Sequence, residues 1–340
     1  MPADLGALAS MVPDLIAKRL ASARTVLAVG HEHPDADALG AAIAIGRIVT
    51  ARGGTATIAS SDPVPALYRF LPGVAEVLTD PDPALAYDLV VLCDCADAAR
   101  AGSIVGRHPD LFAATPAIVL DHHASSEPAG ELTWVDQGAA ATCELVALIA
   151  LRLGVPLDAG GGELATALMA GLVMDTATFA HPNTTPRTLR LAAALLEAGA
   201  ALSDISRRLY RTKPESQLRL FGRVLGRLEA HDEGRVVAAT LELADLEAAG
   251  ALPEHSEGLV DLLVQAEEAE VALLLKEQED GSSRLSVRTK DGGVDATALV
   301  AGWGGGGHLR AAGATIGLPP AAAWAAVLPQ AIALARDVRR

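Results

Sequence analysis

Three short apolar runs, each ending on an acidic or histidine-bearing turn, constrain this chain more than any other feature. Thr25–Val29 leads into Gly30-His31, residues 88–94 read DLVVLCD, and Ala117–Asp121 (AIVLD) runs into His122-His123. Runs this short and continuously apolar suit strands covered on both faces, as in a parallel sheet between helices. A helix-like segment at 38–51 (closed by Gly53-Gly54) follows the first run, Thr55–Ala59 adds a strand, and further helical segments follow the third run at about 139–153 and 162–174. This alternation predicts a doubly wound, mostly parallel α/β domain over residues 1–200, with ligands beyond the carboxyl ends of its strands.

A further helix is expected from Thr185-Pro186, Thr as N-cap and Pro in the first turn, to near Gly199. Two more follow, at about 203–211 and 214–230. Thr212 and Glu215 have capping-box spacing before the second, and Leu218, Phe221, Leu225 and Leu228 form its apolar stripe. Residues 201–230 thus read as a helical connector. Beyond them, strands at 235–243, 271–277 and 284–289, a loop at 304–307 and a terminal helix at 320–336 predict a smaller C-terminal α+β domain over 231–340. The chain has 340 residues, 51% of them hydrophobic, enough for two cores.

A formal net charge of −15 argues against holding long nucleic acid, which needs a basic surface. It leaves room for a short nucleotide at a metal site, where cations supply the positive charge. Three cysteines make no disulfide framework, and Cys93 and Cys95 read as small buried residues. No apolar run reaches the roughly 20 residues of a membrane span, and the N-terminal residues lack a signal-peptide pattern. A soluble cytoplasmic protein with no membrane partner is expected.

The chemistry gathers at the segment ends. His31, Asp35 and Asp37 follow the first strand, and Pro34 disfavours helix just before itself, so the motif reads as a loop able to turn several ligands to one point. Asp94 ends the second apolar run, Asp121-His122-His123 the third, and Asp175 stands after the apolar segment GLVM. A solvated turn, a cap or a polar loop would explain each motif singly. Together, His31, Asp35, Asp37, Asp94, His122 and Asp175 would crowd four carboxylates with no cationic partner, a repulsion that two divalent cations relieve. Mixed carboxylate and imidazole ligands suit Mn²⁺, Mg²⁺, Fe²⁺ or Zn²⁺, and the lack of a thiolate favours Mn²⁺. Such a pair can activate a water and stabilise a phosphoryl transition state. Asp121 can orient an imidazole from behind. In the C-terminal part, Gly304, Gly305, Gly306 and Gly307 let backbone N–H groups approach an anion, with His308 and Arg310 as further donors. Arg288 is another anion candidate, although a solvated strand arginine is the commoner fate.

These motifs together resemble the DHH phosphoesterase family, named for the residues matching Asp121-His122-His123. His31-x-x-x-Asp35-x-Asp37, Asp94 and Asp175-Thr176 match its other metal motifs, and residues 304–313 match the glycine signature of its DHH-associated C-terminal domain. Residues 179–186 (FAHPNTTP) resemble the oligoribonuclease branch, the NrnA type. The resemblance covers about residues 20–330. It implies a metal-dependent hydrolase of short RNA and of 3′-phosphoadenosine 5′-phosphate (pAp), or of cyclic di-AMP and pApA as some relatives are. It further implies His31, Asp35 and Asp94 on one metal, Asp37, Asp94, His122 and Asp175 on the other, and Asp94 bridging. His123 would face the scissile phosphate, and Gly305, Gly306, Gly307, His308, Arg310 and Arg288 would hold the distal nucleotide. His33 stands where the family often has Asn, and Ala41 where Ser is common. A homodimer through the N-terminal domain is expected.

Three other readings compete. A manganese pyrophosphatase shares the N-terminal motifs but presents a basic cluster where this chain has glycines. A RecJ-type exonuclease is larger, and the net charge disfavours it. A non-catalytic nucleotide sensor has no need of a hydrolytic metal pair.

Overall fold

The computed structural model describes residues 3–338 except 83, 124–130 and 291. The chain divides into two compact units, Met1–Thr212 and Lys213–Arg340. The expected connector is therefore split: its first half belongs to unit one and its second half to unit two.

Unit one is built on a six-stranded sheet of β1 (Thr25–Val29), β2 (Thr55–Ala59), β3 (Val77–Leu78), β4 (Leu89–Cys93), β5 (Ala117–Asp121) and β6 (Thr133–Val135), in the order β3-β2-β1-β4-β5-β6. Every pairing is parallel. β4 is buried along its whole length, which is why it reads as an unbroken apolar run. The order reverses direction between β1 and β4, and a crevice opens at the carboxyl ends of strands on either side of such a switch. Strands β3 and β6 are too short to leave a sequence signature.

The helices of unit one include α1 (Ala36–Ala51), α2 (Thr142–Arg152), α3 (Glu163–Asp175) and α4 (Pro186–Glu197). α1 begins before residue 38, the expected start. Asp35 is its N-cap and accepts the N–H groups of Asp37 (2.9 Å) and Ala38 (3.0 Å), so the second half of the first motif is a helix start rather than a loop. α4 opens as expected, with Thr185 and Thr188 capping each other reciprocally.

Glycines let α1, α2 and α3 pack closely. A Cβ at Gly40 would lie 2.5 Å from Ala167 O, and one at Gly171 would lie 2.4 Å from both Asp37 Oδ1 and Cys143 Sγ. Around them sit Ile43, Leu145 and Leu168, all fully buried, each contributing on the order of 1.5–3 kcal/mol. This packing brings the start of α1, the start of α2 and the end of α3 together.

The connector departs from expectation. Its first helix is α5 (Leu202–Ser206), continued by a π-helical turn, Arg207–Arg211. Its second, α6 (Glu215–Leu225), has Pro214 as N-cap with no side-chain capping bond, so Thr212 does not cap it. The buried stripe of α6 is Gln217, Leu220, Phe221 and Val224, whereas Leu218 is 57% exposed. The expected stripe lay one helical row to the side, because Leu220 and Val224 pair with Phe221 as well as Leu218 and Leu225 do. Residues 229 and 230, read as the end of that helix, belong to a strand, Glu229–His231.

Unit two holds a mixed sheet of β7 (Glu229–His231), β8 (Val236–Leu241), β9 (Val271–Glu277), β10 (Ser283–Thr289), β11 (Gly306–His308) and β12 (Ala311–Ile316), ordered β11-β12-β10-β9-β8-β7. Only β8 and β9 pair in parallel. Val271, Leu273, Leu285 and Val287 pack on one face with Ala323, Val327 and Ala331 of α7 (Pro320–Asp337). Leu220, Phe221 and Val224 of α6 cover the other face, against Val237, Ala239 and Leu274. The glycine segment is thus partly strand: β11 pairs with β12, and Cβ atoms at Gly305 and Gly307 would meet Gly313 O at 2.5 Å and Ala311 O at 2.4 Å.

Candidate metal centre

The six residues singled out in unit one meet at the carboxyl edge of its sheet. His31 follows β1. Its Nδ1 lies 2.7 Å from Glu32 O, a donor's position, which turns Nε2 towards Asp94 Oδ2 at 3.4 Å and Asp35 Oδ1 at 3.8 Å. Asp94 follows β4 and is only 2% exposed, with φ at 60°, a left-handed conformation that costs a non-glycine residue of order 1–3 kcal/mol. Its Oδ1 sits 3.6 Å from His122 Nε2 and 3.5 Å from His123 Nδ1. The two oxygens of Asp94 therefore face different imidazoles.

Asp121, at the end of β5, is buried and accepts at one oxygen the N–H groups of His122 (2.8 Å) and His123 (3.2 Å), with His123 Nδ1 at 2.8 Å. It orients His123 directly. Asp37, fully buried in the first turn of α1, receives the N–H of Thr142 at Oδ2 (2.6 Å) and that of Cys143 at Oδ1 (2.9 Å). These are N–H groups that the start of α2 leaves without intrahelical partners. The Thr142 hydroxyl donates to Asp94 Oδ1 at 2.9 Å. Asp175 closes α3, its Oδ2 3.1 Å from His122 Nε2.

Three groups of ligand atoms each lie within 4.8 Å of one another: His31, Asp35 and Asp94; Asp37, His122 and Asp175; and Asp94, His122 and His123. Among the described residues, no other cluster could hold a metal ion. His122 supplies the test of fit. Its Nε2 is buried and makes no hydrogen bond, yet three carboxylate oxygens surround it: Asp175 Oδ2 at 3.1 Å, Asp94 Oδ1 at 3.6 Å and Asp37 Oδ2 at 4.0 Å. A cation among those oxygens would satisfy the nitrogen and neutralise the carboxylates together, so these residues fit the two-cation reading.

Without a cation the carboxylates draw protons. Burial opposes a charged imidazole at His31, but Asp35 and Asp94 outweigh it and hold its pKa at about 11. At His122 burial is likewise overcome, by Asp175, Asp37 and Asp94, giving about 10. Burial, then the charges of Asp175 and Asp94, push Asp37 well above the usual carboxylate range, and burial lifts Asp175 to about 6. Asp35 alone is lowered: burial opposes, but His31 prevails. The thiols of Cys93, Cys95 and Cys143 are buried and raised by burial, so none offers a thiolate.

Several residues that the sequence did not single out serve this site. Thr142 and Cys143 act through backbone N–H groups, which leave no residue-type signal. Tyr210 donates its hydroxyl to Met174 O at 2.6 Å, and burial followed by the charges of Asp175 and Asp35 raises its pKa to about 12, keeping it a donor.

The remaining candidates lie in unit two. Arg288, on β10, pairs through Nε with Asp261 Oδ1 at 2.7 Å. Arg310 donates to Gly293 O and Val294 O at 3.1 Å each. Gly306, Gly307 and His308 form β11 at the edge of the sheet, and all three are exposed.

The fold and this constellation define a metal-dependent phosphoesterase. The chain belongs to the DHH family: residues 25–172 match the DHH family, N-terminal domain, and residues 233–338 the DHHA1 domain. It is 36% identical over 286 residues, 84% of this chain and 82% of the relative, to the bifunctional oligoribonuclease and PAP phosphatase NrnA of Thermus thermophilus. It is 28% identical over 298 residues, 86% and 89% of the two chains, to the Bacillus subtilis protein of the same name. The fold is shared with an exopolyphosphatase-related protein from Bacteroides fragilis, with a TM-score of 0.85, 23% identity, and coverage of 96% of this chain and 97% of that one.

Proposed function

We propose that this chain is a two-cation phosphoesterase that hydrolyses short oligoribonucleotides and pAp. The observation that carries the reading is Asp94: one carboxylate whose oxygens face His31 on one side and His122 on the other, at 3.4 and 3.6 Å. His31, Asp35 and Asp94 would hold one ion, and Asp37, Asp94, His122 and Asp175 the other. Mn²⁺ suits this carboxylate and imidazole set, which offers no thiolate. Bound there, the cations would supply a water of lowered pKa and positive charge to offset that of the phosphate.

The chain's own groups supply the rest. Asp121 holds His123 through both its backbone N–H and its ring, so His123 can present its other ring nitrogen to a phosphate oxygen. Thr142 and Cys143 fix the orientation of the Asp37 carboxylate through their backbone N–H groups. In unit two, Gly305, Gly306, Gly307 and His308, with Arg288 and Arg310, would hold the distal nucleotide. The exposure of β11 supports this, since a glycine edge strand lets an anion approach its N–H groups. The substrate class rests on the NrnA relatives, which align over more than four-fifths of this chain.

The test is a Mn²⁺-supplemented assay of pAp, diribonucleotide, pApA, cyclic di-AMP and pyrophosphate side by side, with a twenty-nucleotide RNA as length control. Turnover of pAp and diribonucleotide well above the others is expected. Preferred turnover of pyrophosphate, or equal turnover of the short and long RNAs, would contradict the reading.

A further inference from the structure

The last turn of α3 carries Asp175, and a helix leaves the carbonyls of its last turn without intrahelical partners. Here backbone N–H groups take part of them, Thr178 donating to Val173 O at 2.9 Å and Ala177 to Met174 O at 3.3 Å, and side chains from later segments add further donors. Tyr210 Oη donates to Met174 O at 2.6 Å and lies 3.3 Å from Val173 O. Asn183 Nδ2 donates to Asp175 O at 3.2 Å, and His181 Nδ1 lies 3.1 Å from the same oxygen. The intervening chain is strained: Ala177, Thr178 and Phe179 are successive left-handed residues, with φ of 47°, 61° and 63°. Each costs about 1–2 kcal/mol, so their surroundings must hold them in place. One such hold is the Thr178 hydroxyl, 2.9 Å from Ser206 Oγ at the end of α5. Directly after Ser206 comes the π-helical turn Arg207–Arg211, which presents Tyr210. Such turns are rare and recur at functional positions because they re-aim the side chains beyond them.

We propose that Tyr210 is a positioning residue for the metal centre. Its hydroxyl fixes the terminal turn of α3, and with it the direction in which Asp175 presents its carboxylate to the cation shared with Asp37 and His122. The ring alone does not account for the residue, since it is 38% exposed while its hydroxyl reaches inward to two successive carbonyls. Tyr210 lies shortly before Lys213, where unit two begins, so the tie also joins the end of unit one to a ligand of the site. This inference rests on the two-cation reading of the site.

Calorimetric titration of Mn²⁺ into metal-free wild type, Y210F and Y210A, with melting curves of the same samples, tests it. Wild type should bind two ions. Y210F should melt as wild type does without metal, yet bind one of the two ions about tenfold more weakly and the other unchanged, as changes behind a metal ligand typically do. Y210A should add a loss of melting temperature. Two-site binding by Y210F at wild-type affinity would show that only the ring matters and would overturn the proposal. Should Y210F lose its cooperative melt, Asn183→Ala removes another donor to the same turn and must show the same selective weakening; full binding there also overturns it. A wild type that does not take two ions refutes the metal-site reading itself, a failure distinguishable from that of the Tyr210 tie.

Discussion

The hydroxyl of Thr142 donates to Asp94 Oδ1 at 2.9 Å, from a residue whose backbone N–H also holds Asp37. One residue at the start of α2 thus sets two carboxylates that arrive from different strand ends. Thr142→Val keeps the shape and removes the donor, leaving a buried oxygen short of a partner at a cost of about 1–3 kcal/mol. Mn²⁺ affinity should fall about tenfold or more in Thr142→Val and stay within a few-fold in Thr142→Ser. Calorimetry on metal-free protein decides; equal affinity in all three proteins would show that the hydroxyl does not position Asp94.

Metal and protons compete for the same atoms, which fixes the sign of the pH dependence. His31 and His122 have folded pKa values of about 11 and about 10, raised above the ordinary 6.5. Their contribution to metal-free stability is fully present below about pH 6.5 and is lost as pH rises through 10 to 11. A cation needs both imidazoles neutral, so its binding releases protons and tightens with pH over that range. Melting curves with Mn²⁺ and with EDTA should therefore differ more at pH 8 than at pH 6, with EDTA always lower. A difference that shrinks with rising pH would contradict the ligand assignment.

Gly171 is a helix-interior glycine where Ala would ordinarily stabilise by up to about 1 kcal/mol. Here the added Cβ would lie 2.4 Å from Asp37 Oδ1 and Cys143 Sγ. The clash should win, with Gly171→Ala destabilising by about 1–3 kcal/mol in urea unfolding of the metal-free protein. A midpoint at or above that of wild type would mean that α2 and α3 separate more readily than this packing implies.

Whether a feature was legible in the sequence depended on whether it lived in residue type or in backbone. β1, β4 and β5 were readable because burial on both faces demands continuous apolar runs, and Asp94 and His122 stand out because polar groups interrupt those runs. The start of α1 was misplaced because Asp35 spends its side chain on capping as well as facing the site. The stripe of α6 was misjudged because two adjacent rows are both apolar, and only packing against Val237 and Leu274 selects Leu220 and Val224 over Leu218. The glycines after Trp303 read as an anion loop, whereas Gly305 and Gly307 also answer to backbone contacts with β12. Thr142, Cys143 and Tyr210 were invisible because their parts depend on where helix ends meet.

If one carboxylate serves two cations, its loss must be felt at both. Counting the Mn²⁺ ions bound per chain in wild type and in Asp94→Asn decides this. Two ions are expected in wild type. Asp94→Asn should lose binding at both positions, more completely than Asp35→Asn or Asp175→Asn, each of which touches a single group. Two ions retained in Asp94→Asn, or the loss of only one, would contradict the bridging role of Asp94.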